Sequence, residues 1–283
     1  MTVKLLAIDM DETLLRSDKT YDAEAFLDMV KDLRKRGVVT CIASGNSLSK
    51  LEYYLSGPLQ DLVYLAGENG NVIEKEGERI EEKVIALDDL LALDQEVHAN
   101  PNYSSLVSAG DGFYSTRLIA ENEANIRIYC PDITLLDSYA ELEDLGHHPV
   151  KLAVNSFEGL AANKDFVTQM NATFPRITGV TSATMWMDFI NAEGGKGSAV
   201  RYLQDKYQIR PEETMAFGDS LNDASMMGEV GYSVAMANAD PDLKSLCRYE
   251  IGSNNEGAVL QVIDRYLQAG NLDFMADFVR SGD

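Results

Sequence analysis

Acids, hydroxyls, amides and one lysine are grouped in four short stretches of the 283-residue sequence, which begin at Asp9, Ser44, Glu193 and Gly218. The first reads Asp-Met-Asp-Glu-Thr and the fourth reads Gly-Asp-Ser-Leu-Asn-Asp. Hard cations such as Mg²⁺ prefer carboxylate and amide oxygens as ligands. Carboxylates this close repel one another unless a cation or a proton is present, so the two acidic stretches predict bound Mg²⁺ and at least one perturbed pKa.

The second and third stretches supply groups that can hold a phosphate. Ser44 offers a hydroxyl and Gly45 a backbone amide, both of which suit phosphate oxygens. Lys196 lies among glycines at the start of a predicted helix, from which its ammonium group can reach a phosphate as a point charge. Taken alone, a serine such as Ser44 is more often a helix N-cap. The alternative interpretation of Lys196 is a solvated surface lysine.

The elements that must position these groups are buried strands. Residues 3–8, 38–43 and 215–217 are nearly continuous apolar runs, which are typical of strands buried on both faces of a parallel sheet. Predicted helices at residues 21–36 and 196–207 alternate with the strands. Ligands bind beyond the carboxyl ends of such strands, so an α/β fold would bring the four stretches to one edge of a parallel sheet.

A second domain is predicted where this alternation of strands and helices stops. Residues 84–187 form an irregular mixture of helical and strand-like pieces, which we interpret as an inserted α+β cap domain. The core domain is then discontinuous and consists of residues 1–83 and 188–283. An Asn-Gly pair at residues 69–70 predicts a hairpin turn before the insertion.

Composition narrows the cellular setting and the partners. With 24 basic and 46 acidic residues the formal net charge is −22, which disfavours binding to nucleic acid and to anionic membranes. No apolar run approaches the ~20 residues that span a bilayer. Three widely separated cysteines, Cys41, Cys130 and Cys247, predict neither a disulfide framework nor a zinc site. We expect a cytoplasmic protein that acts on a small molecule.

The four stretches, in this order, resemble the motifs of the haloacid dehalogenase superfamily. The matching residues are Asp9 to Thr13, Ser44, Lys196, and Gly218 to Asp223. The long insertion and the Asn-Gly turn before it resemble the Cof-type branch of sugar-phosphate phosphatases, which carries an α/β cap. The resemblance spans nearly the whole chain and implies a Rossmann-like core and a Mg²⁺-dependent phosphatase.

The resemblance also assigns roles to the two acids of the first stretch. Asp9 would be the nucleophile that forms an aspartyl-phosphate. Asp11 would be the general acid and base, which requires its pKa to be raised relative to that of its neighbour. Asp9, the backbone carbonyl of Asp11, and Asp219 would bind Mg²⁺.

The remaining motif residues would hold the phosphate or support the site. Ser44, Gly45, Lys196 and Asn222 would bind phosphoryl oxygens. Two supporting residues complete the expected set, namely Thr13, which would fix the acid loop, and Asp223, which would hold Lys196 or a metal-bound water. One departure is Asn46, where many relatives carry arginine; this puts the substrate in question more than the phosphoryl chemistry.

Two other functions fit the same residues. A phosphomutase would use the same aspartyl-phosphate and pass the phosphoryl group to a sugar hydroxyl. A non-catalytic metabolite-binding regulator would keep the fold, although such proteins are expected to lose one of the three key acids, and Asp9, Asp11 and Asp219 are all present. Sugar phosphates are the expected substrates, while nucleotides, flavin mononucleotide and pyridoxal phosphate stay open, as does the oligomeric state.

Overall fold

The computed structural model describes residues 2–110 and 112–280, which form two compact units. The first unit contains the chain up to Glu81 and from Gly195 onward, and the second contains Glu82–Gly194. The strands, in chain order, are β1 (Leu5–Ile8), β2 (Val39–Ala43), β3 (Tyr64–Gly67), β4 (Val72–Lys75), β5 (Glu78–Glu82), β6 (Ser104–Ala109), β7 (Gly112–Ser115), β8 (Thr134–Leu135), β9 (Pro149–Asn155), β10 (Ile177–Ala183), β11 (Trp186–Asn191), β12 (Thr214–Gly218), β13 (Tyr232–Met236) and β14 (Tyr249–Ile251).

The α-helices of the described residues lie between groups of these strands. In chain order they are α1 (Ala23–Lys35), α2 (Leu48–Tyr54), α3 (Leu87–Ala99), α4 (Ala120–Tyr129), α5 (Glu141–Asp144), α6 (Leu160–Thr173), α7 (Lys196–Tyr207), α8 (Ala224–Met227), α9 (Pro241–Leu246) and α10 (Ala258–Ala269). No helix in this part of the chain combines the length and the apolar character needed to cross a membrane.

The first unit is built on an eight-stranded sheet with the order β14-β13-β12-β1-β2-β3-β4-β5. The six strands from β14 to β3 pair in parallel, and β3 and β4 form an antiparallel hairpin. All four residues of β1 are buried, as expected for a strand covered on both faces. The predicted α/β class with a parallel-sheet core is confirmed, and Asp9, Ser44, Lys196 and Asp219 all belong to this unit.

Local sequence signals determine where helix α1 begins and which of its faces is buried. The Asp22 side chain accepts a hydrogen bond from the backbone N–H of Ala25 and so caps the first turn. Phe26, Val30 and Leu33 recur at helical spacing and are buried. The expected helix at residues 21–36 is therefore present, with ends displaced by one or two residues.

The second unit has a six-stranded sheet with the order β10-β11-β9-β6-β7-β8. Its pairs are antiparallel except β7 with β8, which are parallel, and its core buries side chains from α3, α6 and the sheet. The expected boundary at residues 187–188 would cut through β11, whereas this unit extends to Gly194. The physical reason is that β11 pairs along its length with β9 and β10.

Candidate active site

The sheet topology places the two acidic stretches side by side. Asp9 directly follows β1 and Asp219 directly follows β12, and these two strands are parallel neighbours with Ile8 opposite Phe217. Carboxyl ends of adjacent parallel strands lie at the same edge of a sheet, which brings both acids to one place. Thr13, on the loop after β1, donates a hydrogen bond from Oγ1 to Asp219 Oδ1 over 3.3 Å.

Lys196 lies at the centre of this edge and is completely buried. Its Nζ donates to Asp9 Oδ1 and to Asp223 Oδ1, each over 2.6 Å. Burial alone would lower the pKa of Lys196, but the charges of Asp223 and Asp9 raise the pKa above its ordinary value. A buried ammonium is tolerated only with such partners. Lys196 is therefore a permanent cation of the site and not a surface residue.

Asp223 holds both Lys196 and the loop that carries Asp219. Its Oδ2 accepts hydrogen bonds from the backbone N–H groups of Asp219, over 2.9 Å, and Ser220, over 3.1 Å. A Cβ at Gly218 would lie 2.5 Å from this oxygen, so the loop requires glycine there. The expected contact between Asp223 and Lys196 is present.

Three carboxylates form a group that fits a hard cation. Asp9, Asp219 and Asp223 each offer an oxygen, and these oxygens lie within 4.8 Å of one another. Burial, opposed by Lys196 and reinforced by Asp223, raises the pKa of Asp9 to about 7. Burial and the charge of Asp9 raise the pKa of Asp219 to about 9. A divalent ion bound to these carboxylates would lower both pKa values.

Asp11 differs from its expected state. Its carboxylate accepts hydrogen bonds from Lys19 Nζ, over 3.0 Å, and from Asn46 Nδ2. Burial favours a higher pKa, but the charges of Lys19 and Lys50 and these bonds lower the pKa of Asp11 below its ordinary value. The expectation of a raised Asp11 pKa is therefore wrong for the structure described, and the raised member of the pair is Asp9.

The loop that carries Asp11 is held through Glu12, whose backbone is left-handed with φ +56°. Asn254 Nδ2 donates to Glu12 Oε2 over 3.0 Å, and Asn238 Nδ2 donates to the Glu12 carbonyl over 2.8 Å. These contacts hold a backbone conformation that residues other than glycine rarely adopt. They also fix the backbone next to Asp11, whose carbonyl is an expected metal ligand.

The expected phosphate ligands lie on loops that touch each other. Ser44 is buried, and its Oγ accepts a hydrogen bond from the backbone N–H of Asn46 over 3.1 Å. Asn222 Nδ2 donates to Asn69 Oδ1 over 3.0 Å, and a Cβ at Gly45 would lie 3.1 Å from that same oxygen. Asn69 thus joins the Gly45 loop to the Asn222 loop.

The sequence analysis missed the contacts of three residues of this site. Asn46 was noted only as a departure that concerns the substrate, but its side-chain amide donates directly to Asp11. Lys19 returns to Asp11 because a turn closes between Arg16 and Thr20, and the Ser-Asp-Lys sequence was the available turn signal. Asn69 was assigned only a hairpin turn, which did not indicate its side-chain partner.

A buried lysine between two carboxylates, with further acids beside them, is the arrangement expected of a phosphoryl-transfer site. Residues 6–263 match the sequence model of the haloacid dehalogenase-like hydrolases, and the chain belongs to that family. The predicted superfamily is confirmed.

Relatives align over nearly their full lengths. The 5-amino-6-(5-phospho-D-ribitylamino)uracil phosphatase YbjI of Escherichia coli K12 is 26% identical over 95% of this chain and 97% of its own. The HMP-PP phosphatase of Serratia proteamaculans is 28% identical, over 96% and 98% of the two chains. The crystal structure of SMU.1108c from Streptococcus mutans UA159 has a TM-score of 0.86 at 27% identity and covers 94% and 100%. The expected enzyme class, phosphoric monoester hydrolase, is confirmed.

Proposed function

We propose that this phosphatase hydrolyses small phosphorylated metabolites, sugar phosphates first among them, in a Mg²⁺-dependent reaction through an aspartyl-phosphate on Asp9. The observation that carries the proposal is the buried Lys196 bridge between Asp9 and Asp223, with Asp219 beside it. A buried cation next to three acids has little use in a passive core, because buried ion pairs rarely stabilise a fold better than apolar packing.

The donors present fit Mg²⁺. We propose that Asp9, Asp219 and the backbone carbonyl of Asp11 hold the ion, with Asp223 supporting them from behind. When bound, Mg²⁺ would offset the charge between the nucleophile and the phosphate and would stabilise the charge that develops on the phosphoryl oxygens.

The first chemical step that we propose is attack by Asp9. The carboxylate of Asp9, whose Oδ1 accepts a hydrogen bond from Lys196, attacks phosphorus. The bond from phosphorus to the substrate oxygen breaks, Asp11 gives that oxygen a proton, and the alcohol leaves. For this step Asp11 must carry a proton, so we propose that the bound substrate displaces the Lys19 and Asn46 contacts that keep Asp11 ionised in the free protein. Lys196 and the amide of Asn222 bind the phosphoryl oxygens and keep them in line.

The second step regenerates the enzyme. Asp11, now ionised, takes a proton from a water molecule, which attacks the phosphorus of the aspartyl-phosphate. The bond from phosphorus to Asp9 breaks, inorganic phosphate leaves, and Asp9 returns to its carboxylate. Lys19 and Asn46, which bond to Asp11, hold the ionised acid in place for this step.

Two considerations support the substrate class. The name of the Escherichia coli enzyme similar to this chain specifies a phosphate on a ribityl chain, which is a sugar alcohol. The resemblance to the Cof-type branch points the same way. A cytoplasmic location stays a prediction.

Phosphate release is the test of the proposed function. We expect the purified protein to release inorganic phosphate from an aryl phosphate and from several sugar phosphates when Mg²⁺ is present, and to stop when a chelator removes it. A phosphomutase would release little phosphate without an acceptor. No release from any ester at saturating Mg²⁺ would contradict the proposal.

Metal binding is expected to depend on pH because it displaces protons. The fold raises the pKa values of Asp9 to about 7 and of Asp219 to about 9. At any pH above the ordinary pKa of an aspartate, the metal-free folded protein therefore binds more protons than the unfolded chain. The stability of the metal-free protein should fall as pH rises from that ordinary pKa through the two raised values. Mg²⁺ should therefore raise the melting temperature more at about pH 8 than at about pH 6. The measurement is a thermal melt with and without Mg²⁺ at each pH.

The matched control for that measurement is Asp219→Asn, which keeps the shape of the side chain and removes its titration. In this variant the dependence of the Mg²⁺ effect on pH should shrink. An equal Mg²⁺ effect at both pH values in the wild-type protein would contradict a site built on Asp9 and Asp219.

A further inference from the structure

The turn between β3 and β4, residues 68–71, has an unusual backbone for a hairpin. Glu68, Asn69 and Gly70 have φ values of +52°, +58° and +81°. All four residues of the turn are buried, although hairpin turns normally lie at the surface. A backbone of this kind persists only where the surroundings enforce it, and it clusters at functional sites.

The first contacts of the 68–71 turn are with the loop after β2. The backbone N–H of Asn69 donates to the Ser44 carbonyl, and that of Glu68 donates to the Asn46 carbonyl, each over 2.8 Å. The left-handed backbone is what lets two successive N–H groups leave the hairpin and reach this loop. The carbonyls on both sides of Gly45 are thereby fixed.

The Asn69 side chain sets the orientation of Asn222. Asn222 Nδ2 donates to Asn69 Oδ1 over 3.0 Å, and Ser220 Oγ donates to Asn222 Oδ1 over 2.6 Å. An amide nitrogen carries two hydrogens, so the bond to Asn69 uses one and fixes the direction of the other. Gly45 lies against the same pair, because a Cβ there would be 3.1 Å from Asn69 Oδ1 and 3.5 Å from Asn222 Nδ2.

The far side of the turn contacts the chain just before Lys196. A Cβ at Gly70 would lie 2.7 Å from the Gly195 carbonyl oxygen, so only glycine permits this approach. Asn71 Oδ1 accepts a hydrogen bond from the Gly195 N–H over 3.4 Å. The turn therefore touches all three segments that carry the proposed phosphate ligands.

We propose that the 68–71 turn is the positioning element of the phosphate site, and that Asn69 is the positioning residue that orients the Asn222 amide beside Gly45. This inference rests on the proposed function, because the ligands it positions are those of the phosphoryl group. Asn69 itself acts through Asn222 and need not touch the substrate.

The test is Asn69→Gly, which removes the side chain and keeps a residue that adopts positive φ freely. We expect kcat/KM for an aryl phosphate to fall by about 10- to 100-fold, because a displacement of about 1 Å in a group that binds the reacting phosphate lowers the rate by that factor. The melting temperature should stay the same or rise. Glu76→Gly is the matched control, since Glu76 has φ +57° in an exposed turn and should keep full activity.

A double-mutant cycle separates positioning from general damage. In an Asn222→Ala background, Asn69→Gly should cause little further loss, because residues that act through each other are not additive. The affinity for inorganic phosphate, measured by calorimetry with Mg²⁺ present, gives a readout without turnover, and Asn69→Gly should weaken it.

These readouts keep the two proposals apart. If the wild-type protein hydrolyses no ester but Asn69→Gly still binds phosphate more weakly than the wild type does, the inference is supported and the proposed function is contradicted. Unchanged kcat/KM and phosphate affinity in Asn69→Gly would overturn the inference alone, as would a loss of equal size with and without Asn222. A wild-type protein that neither binds phosphate nor hydrolyses any ester would overturn both.

Discussion

Asp9→Asn is expected to lower kcat by about 10⁴-fold or more, the loss seen when a group that acts in a catalytic unit is removed. An amide cannot attack phosphorus as a carboxylate does, so no aspartyl-phosphate forms. Asparagine keeps the shape of the side chain, and Lys196 keeps its second partner, Asp223. The loss should therefore appear in steady-state phosphate release without unfolding, which circular dichroism would check.

Asp28→Asn is the control for this variant. Asp28 is an exposed aspartate on α1 that pairs with Lys31 and lies outside the acid group. Its activity should match that of the wild-type protein. A tenfold change in turnover corresponds to only a small part of the activation free energy. If Asp9→Asn kept turnover within about tenfold of wild type, Asp9 would not be the nucleophile.

Lys196→Met is expected to have the largest effect on stability. Methionine fills a similar volume but leaves Asp9 and Asp223 buried without their cation, and breaking a buried pair in this way costs about 3–5 kcal/mol. We expect that loss in the free energy of unfolding, measured by urea denaturation near neutral pH without Mg²⁺. Mg²⁺ should recover part of the stability, because it returns positive charge to the acid group.

Lys31→Met provides the comparison. Lys31 pairs with Asp28 on the exposed face of α1, and exposed pairs contribute little to stability. Its free energy of unfolding should stay close to that of wild type. A Lys196→Met protein as stable as Lys31→Met would contradict the description of Lys196 as the buried counter-ion of the site.

Much of the site could be predicted because it depends on strand ends. Asp9, Ser44 and Asp219 each follow a buried parallel strand, and the edge they share follows from topology alone. Lys196 was placed correctly at a helix start. Its burial could not be read from the sequence, because a lysine among glycines is usually solvated.

The missed features depend on side-chain direction and on contacts between distant loops. The pKa of Asp11 is lowered by Lys19, which reaches it only because the chain turns back after Arg16. Asn69 and Asn222 are far apart in sequence, and no periodic pattern links them. In the second unit, β8 has two exposed residues and gave no apolar signal.

The most direct test of the central claim is to trap the phosphorylated Asp9. Asp11→Asn should form the intermediate from an aryl phosphate, whose leaving group needs no acid, and should hydrolyse it slowly because the base is absent. Quenching in acid and reducing with borohydride converts an aspartyl-phosphate into homoserine. We predict homoserine at position 9, found by peptide mass spectrometry, only when substrate and Mg²⁺ are both present. Release of the aryl alcohol with an unmodified residue 9, or with the phosphoryl group on another side chain, would contradict the account.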